Sequence, residues 1–168
     1  MAVYLHGQQF GANPLVQVLL DNGIDANLGN DRGNTVLHIA TRKNFPSILK
    51  ILLGFGVDID RKNKNEESAL YIAANLNHVE ITKLLLQFDT KTSEKTRDGF
   101  TPLLQAIKEN NKEVRDFLIE NGENINEQIG IGHATMLHPY CFKIMTILNR
   151  WSRKVWTSGR VLFLVKYT

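Results

Sequence analysis

Side chains able to do chemistry are few and scattered in this 168-residue sequence. His38 and His78 could each serve as a base. His133, His138 and Cys141 carry a His-x4-His-x2-Cys spacing that could begin a zinc site. Three ligands without a fourth make a weak motif, because a structural zinc ion takes four. The sequence has no Gly-rich phosphate loop, no Gly-x-Ser-x-Gly elbow and no His-Glu-x-x-His pair. Its carboxylates fall mainly in turn segments and on outer helix positions, where solvated charge is their ordinary role. Without a convergent set of titratable groups there is no reaction to assign, no cofactor is implied, and the chain is expected not to be an enzyme.

Charge is divided unevenly. The net charge is +3, with 20 Lys and Arg against 17 Asp and Glu; residues 129–168 hold six of those basic residues and no acid. The basic excess therefore belongs to the tail, which argues against nucleic acid as the partner of the whole chain. Within the tail, Arg150, Trp151, Arg153, Lys154, Trp156 and Arg160 interleave cations with aromatics, a pattern suited to anionic lipid or to a nucleic-acid backbone. The plainer reading is preferred: a degenerate last unit with an extension, or sequence read from an altered frame. One cysteine rules out an internal disulfide and suits a reducing compartment. The start lacks a signal-peptide pattern, and no run approaches the roughly 18 apolar residues of a membrane span. A cytoplasmic monomer is expected, with delivery into another cell left open.

The elements that must position these groups repeat at an interval of 33 residues. Val114, Phe117 and Leu118 step back to Ile81, Leu84 and Leu85, then to Ile48, Ile51 and Leu52, then to Leu15, Val18 and Leu19. Each triplet has the i, i+3, i+4 spacing of a helix burying one face. A second column joins Thr101, Ser68 and Thr35, followed by Leu103, Leu70, Leu37 and by Ala106, Ala73, Ala40.

A 33-residue unit built on a Thr-Pro-Leu-His-x-Ala core resembles the ankyrin repeat. The resemblance rests on Thr35-Val-Leu-His-Ile-Ala40, Ser68-Ala-Leu-Tyr-Ile-Ala73 and Thr101-Pro-Leu-Leu-Gln-Ala106, and covers about residues 2 to 128. It implies an all-α ankyrin-repeat solenoid of stacked helix-turn-helix units with β-turn loops. The units fall at about 2–29 (partial), 30–63, 64–96 and 97–128. Residues 129–168 are read as a degenerate, capping-like helical unit, at about 133–152, and a basic aromatic tail. In the first unit, either more chain precedes or the first short helix is partly exposed. By the same resemblance, His38 and His78 are structural groups satisfied by hydrogen bonds between neighbouring loops.

Local signals agree with this division. Gly33 suits a tight turn, the Thr35 hydroxyl is placed to cap a helix, Pro46 fits a first helical position and Gly56 a left-handed residue after a helix. The unit at 64–96 departs twice: Glu66 replaces the turn glycine, and Asp89 replaces the glycine found at Gly23, Gly56 and Gly122. With the polar loop that follows, Thr90 to Arg97, this is expected to be a soft joint.

What the resemblance implies about function is protein binding through the turn tips and the exposed face of the first helices. Those positions are Asp31, Arg32, Asn34, Arg42 and Lys43, then Lys64, Asn65, Glu67, Asn75 and Leu76, then Arg97, Asp98, Phe100, Lys108 and Glu109. Phe100 and Leu76 are the expected anchors, since apolar groups on a rigid ledge hold a partner better than rim charges do. The alternative is an adaptor whose repeats bind a client while the tail contacts a membrane or a second factor. No Leu-Pro-x-Glu start of a ubiquitin-ligase-recruiting box occurs in residues 129–168.

Overall fold

Helices of seven to ten residues are too short to persist alone in water, so each must be stabilised by its neighbours. The computed structural model describes residues 12–123 and shows how this is met. Seven helices follow in order: α1 (Ala12–Asp21), α2 (Val36–Arg42), α3 (Pro46–Gly54), α4 (Ala69–Leu76), α5 (Val79–Gln87), α6 (Pro102–Lys108) and α7 (Lys112–Glu120). No strand occurs among the described residues. The helices stand in two rows. In one, α4 packs between α2 and α6; in the other, α3 packs against α1 and α5, and α5 against α7.

The repeated leucines and alanines make the first row. Leu37, Leu70 and Leu103 are fully buried, and Ala40, Ala73 and Ala106 are buried where adjacent helices approach each other. Burying each leucine is worth about 1.5–3 kcal/mol, which offsets the weak intrinsic stability of a two-turn helix. In the second row Ile48, Ile81 and Val114 are buried, as are Leu52, Leu85 and Leu118.

The middle member of each expected triplet behaves differently. Leu84 is buried, but Ile51 is half-buried, and Phe117 is half-buried beneath Lys83, whose ammonium lies 4.3 Å from the ring centroid. Leu15 and Val18 correct the expectation outright: they are 52% and 54% exposed, and Val16 is the buried residue of α1. Among the described helices α1 packs on α3 in its row.

Three left-handed residues punctuate each repeat. Asn44, Asn77 and Asn110 lie between the paired helices at φ 57, 57 and 61°. Gly23, Gly56, Asp89 and Gly122 follow the second helices at φ 78, 72, 54 and 91°, and Gly33, Glu66 and Gly99 form the turn column at 73, 60 and 80°. Asp89 and Glu66 thus occupy the conformation for which their counterparts use glycine. Gly33 is required twice over, since a Cβ there would lie 2.9 Å from the backbone nitrogen of Lys64.

The loop expected to be a soft joint is tied at several points. The Thr90 hydroxyl and the Lys91 N–H both donate to Asp60 Oδ1, at 2.9 and 2.8 Å. Lys62 Nζ donates to the Lys95 carbonyl at 3.0 Å and pairs with Glu94 at 2.6 Å.

The helix pairs α2 and α3, α4 and α5, and α6 and α7 fall inside the spans 30–63, 64–96 and 97–128. The boundary at 128, the capping-like helical unit, the basic aromatic tail, the first short helix and the group His133, His138 and Cys141 lie outside the described residues. No helix among the described residues is long and apolar enough to cross a membrane.

Candidate functional site

Each turn tip is built around one short polar side chain. Asn30 Oδ1 accepts from the N–H groups of Arg32 and Asn34 at 3.0 and 3.1 Å. Asn63 Oδ1 accepts from Asn65 and Glu67 at 2.9 and 3.0 Å, and Thr96 Oγ1 accepts from Phe100 at 3.2 Å. Backbone bonds close the same turns, from Asn30 to Asn34, Asn63 to Glu67 and Thr96 to Phe100. These local bonds are the ones Asn and Thr offer a turning backbone. None of the three residues was among the expected site residues, although they too recur every 33 residues, three before the turn glycine column.

The tips are then stitched together. The Lys64 N–H donates to the Arg32 carbonyl at 3.0 Å and the Arg97 N–H to Asn65 at 3.2 Å. The Arg97 guanidinium donates to the Lys64 carbonyl at 2.7 Å. Arg97, expected as a partner contact, is therefore also part of the framework.

His38 is a strut of that framework. Its Nδ1 accepts from the Thr35 N–H at 3.1 Å and lies 2.9 Å from the Thr35 hydroxyl, which leaves Nε2–H to donate to the Glu67 carbonyl of the next unit at 3.1 Å. Burial lowers its pKa, outweighing the carbonyl bonds that raise it, and keeps the ring neutral. A neutral ring with both nitrogens engaged is not poised to take a proton from anything else. Ser68 and Thr101 cap α4 and α6 through their hydroxyls, accepting from Tyr71 and Leu104 at 3.2 Å each.

His78 departs from expectation, because its Nε2 is buried without a hydrogen-bond partner. In the next unit Asn111 holds the corresponding place and donates to the Ala74 and Asn75 carbonyls at 2.7 and 3.2 Å.

Between the tips and α2 lies a concavity of about 800 Å³. Asp31, Arg32, Asn34, Arg42, Lys43, Lys64, Asn65 and Glu67 line it, together with Asn30, Ile39 and Asn63. Its wall is held from within: Asn63 Nδ2 donates to Asn34 Oδ1 at 2.9 Å and to Glu67 Oε2 at 2.7 Å, and Arg42 stands 3.6 Å from the same carboxylate.

Asn75, Leu76, Arg97, Asp98, Phe100, Lys108 and Glu109 do not line this concavity. Leu76 is exposed, as an anchor must be. Phe100 is half-buried, with the Lys108 ammonium 5.0 Å from its ring centroid, so the expected anchor and the expected rim charge cover each other. Gln105, nearly buried, donates to Asn75 Oδ1 at 2.7 Å and to Glu109 Oε1 at 3.2 Å.

The pKa of Tyr71 is pushed up to about 12, first by burial and then by the charges of Glu67, Asp98 and Glu109. Among the described residues no group of three or more His, Cys, Asp or Glu could hold a metal ion.

No curated protein matches the chain significantly. The family model described as ankyrin repeats, in three copies, matches residues 3–65 and again 43–129. Those matches span well over half the sequence and take in every helix and turn tip described above, so the chain belongs to the ankyrin repeat family.

Proposed function

We propose that this protein is a non-catalytic, cytoplasmic scaffold that holds a partner protein along the ledge of turn tips and first-helix faces. Repeats of this family are generally protein–protein interaction modules. The observation that carries the reading is the stitching of the tips, Lys64 to Arg32 and Arg97 to Asn65. A surface fixed by its own backbone loses little further freedom when a partner docks, and that is where preorganised interfaces gain affinity.

The experiment is capture of partner proteins from lysate by the full chain and by charge- or shape-reversed variants. Leu76→Asp and Arg42→Glu should reduce retention of the captured protein severalfold while leaving the helical signal unchanged. Lys112→Glu, exposed at the start of α7, should retain it fully. Retention lost in Lys112→Glu and kept in the two ledge variants would place the binding surface elsewhere.

A further inference from the structure

We propose that the concavity of the second unit is the seat for an acidic segment of the partner, a short run of Asp or Glu side chains on an extended peptide. This rests on the protein-binding reading above and gives it a chemistry. Four cations line the concavity, Arg32, Arg42, Lys43 and Lys64, against two carboxylates, Asp31 and Glu67. Only Arg42 has a counter-ion; Arg32, Lys43 and Lys64 form no ion pair among the described residues.

Glu67 is the counter-ion of Arg42, and Asp31 offsets one more cation, so four cations against two carboxylates leave the lining a net charge of about +2. Asn30 and Asn65 add amide N–H donors that make no bond among the described residues, since Asn30 spends only its side-chain oxygen on the turn. A concave wall concentrates the field of such charges on whatever enters it.

The extent of the positive field selects the occupant. Past the concavity the ledge charges balance, Arg97 and Lys108 against Asp98 and Glu109, with Lys108 Nζ 3.9 Å from Glu109. A long polyanion such as nucleic acid, or an anionic membrane, would run onto a stretch with no excess of positive charge. A short acidic segment ends before it.

The test is an NMR titration of the ¹⁵N-labelled full chain with an acetylated, amidated tetra-glutamate peptide at low ionic strength, with the tetra-glutamine peptide as control. Residue resolution matters because residues 129–168 add six cations and no acid. The amide signals of Arg32, Lys43 and Lys64 should move saturably with the glutamate peptide and stay still with the glutamine one. The Lys43→Glu, Lys64→Glu double variant should bind about tenfold or more weakly with its spectrum otherwise intact, and Lys112→Glu should bind as the parent does.

Shifts confined to the tail, or equal shifts with glutamine, would overturn the seat while leaving the capture result on Leu76→Asp to decide whether the ledge binds protein. If oligothymidylate or phosphatidylserine vesicles move the same three signals at lower charge concentration than the peptide, the seat belongs to another class of anion and the inference falls.

Discussion

Replacing Glu66 with glycine should stabilise this protein, although it removes a charged side chain and adds backbone freedom. Glu66 sits at φ 60° in the turn column that Gly33 and Gly99 fill at 73 and 80°. An L-residue in that region costs about 1–2 kcal/mol. Against this, glycine gains about 0.5–1 kcal/mol of extra freedom in the unfolded chain. The exposed Glu66 side chain makes no hydrogen bond or ion pair, and the turn bond from its N–H to Asn63, at 2.9 Å, survives the change. The net gain is therefore about 0.5–1 kcal/mol. Urea unfolding followed by far-UV circular dichroism should show the midpoint rising by roughly 0.3–0.5 M with an unchanged slope, for a slope near 2 kcal/mol/M. The mirror experiment is Gly33→Ala, whose Cβ would meet the Lys64 nitrogen at 2.9 Å and so strain both the turn and the stitch to Arg32. It should cost about 2–3 kcal/mol. An unchanged or lower midpoint for Glu66→Gly, or a neutral Gly33→Ala, would refute the claim that backbone sign governs this column.

His38→Ala should cost about 1–3 kcal/mol, because it strands the buried Thr35 N–H and removes one of the two bonds to the Glu67 carbonyl, which keeps that from Asn63; urea midpoints check this. His38 also has a pH signature: its folded pKa lies below the ordinary 6.5, so the native state binds fewer protons than the unfolded one, and its contribution is intact above about 6.5 and lost as pH falls below it. His38→Asn should flatten the stability profile over that acid range, and an identical slope in both proteins would remove His38 as its source. Lys62→Ala should raise amide exchange at Glu94 to Thr96 while changing global stability by less than about 1 kcal/mol, since the Lys62–Glu94 pair is partly exposed. Unaltered exchange there would mean that the Asp60 bonds to Thr90 and Lys91 hold the loop alone.

The helices and the buried leucine and alanine columns were legible because they depend on period alone. A residue recurring every 33 positions on the same helical face meets the same neighbour in each unit. Ile51 and Phe117 are only half-buried, and the spacing does not show that the Lys83 ammonium covers the Phe117 ring. Asn30, Asn63 and Thr96 look like ordinary loop polarity in the sequence, and the structure shows each accepting from residues that follow it. Phe100 and Lys108 are individually reasonable ledge residues, but nothing in their spacing says that they meet. The concavity could not be read at all, since it arises between turns about 33 residues apart whose separation is set by backbone stitches.

Those stitches also constrain how binding can be tested. Glu67 lies in the concavity, yet its carbonyl accepts from His38, its N–H donates to Asn63 and its carboxylate accepts from the Asn63 amide. A change at Glu67 or Asn63 would alter the wall and the contact together, so lost binding there would not distinguish a missing contact from a displaced tip. Arg32, Lys43 and Lys64 differ in kind. Their backbones carry the stitches and the helix end, but their side chains form no ion pair that folding depends on. Substitution at these three removes charge and leaves the scaffold in place. Surface charges of this sort act mainly on encounter rate and salt dependence, while Leu76, exposed and apolar, should act on dissociation. A partner whose association slows with salt only in the parent, and whose dissociation speeds only in Leu76→Ala, would divide the ledge into a steering end and a holding end.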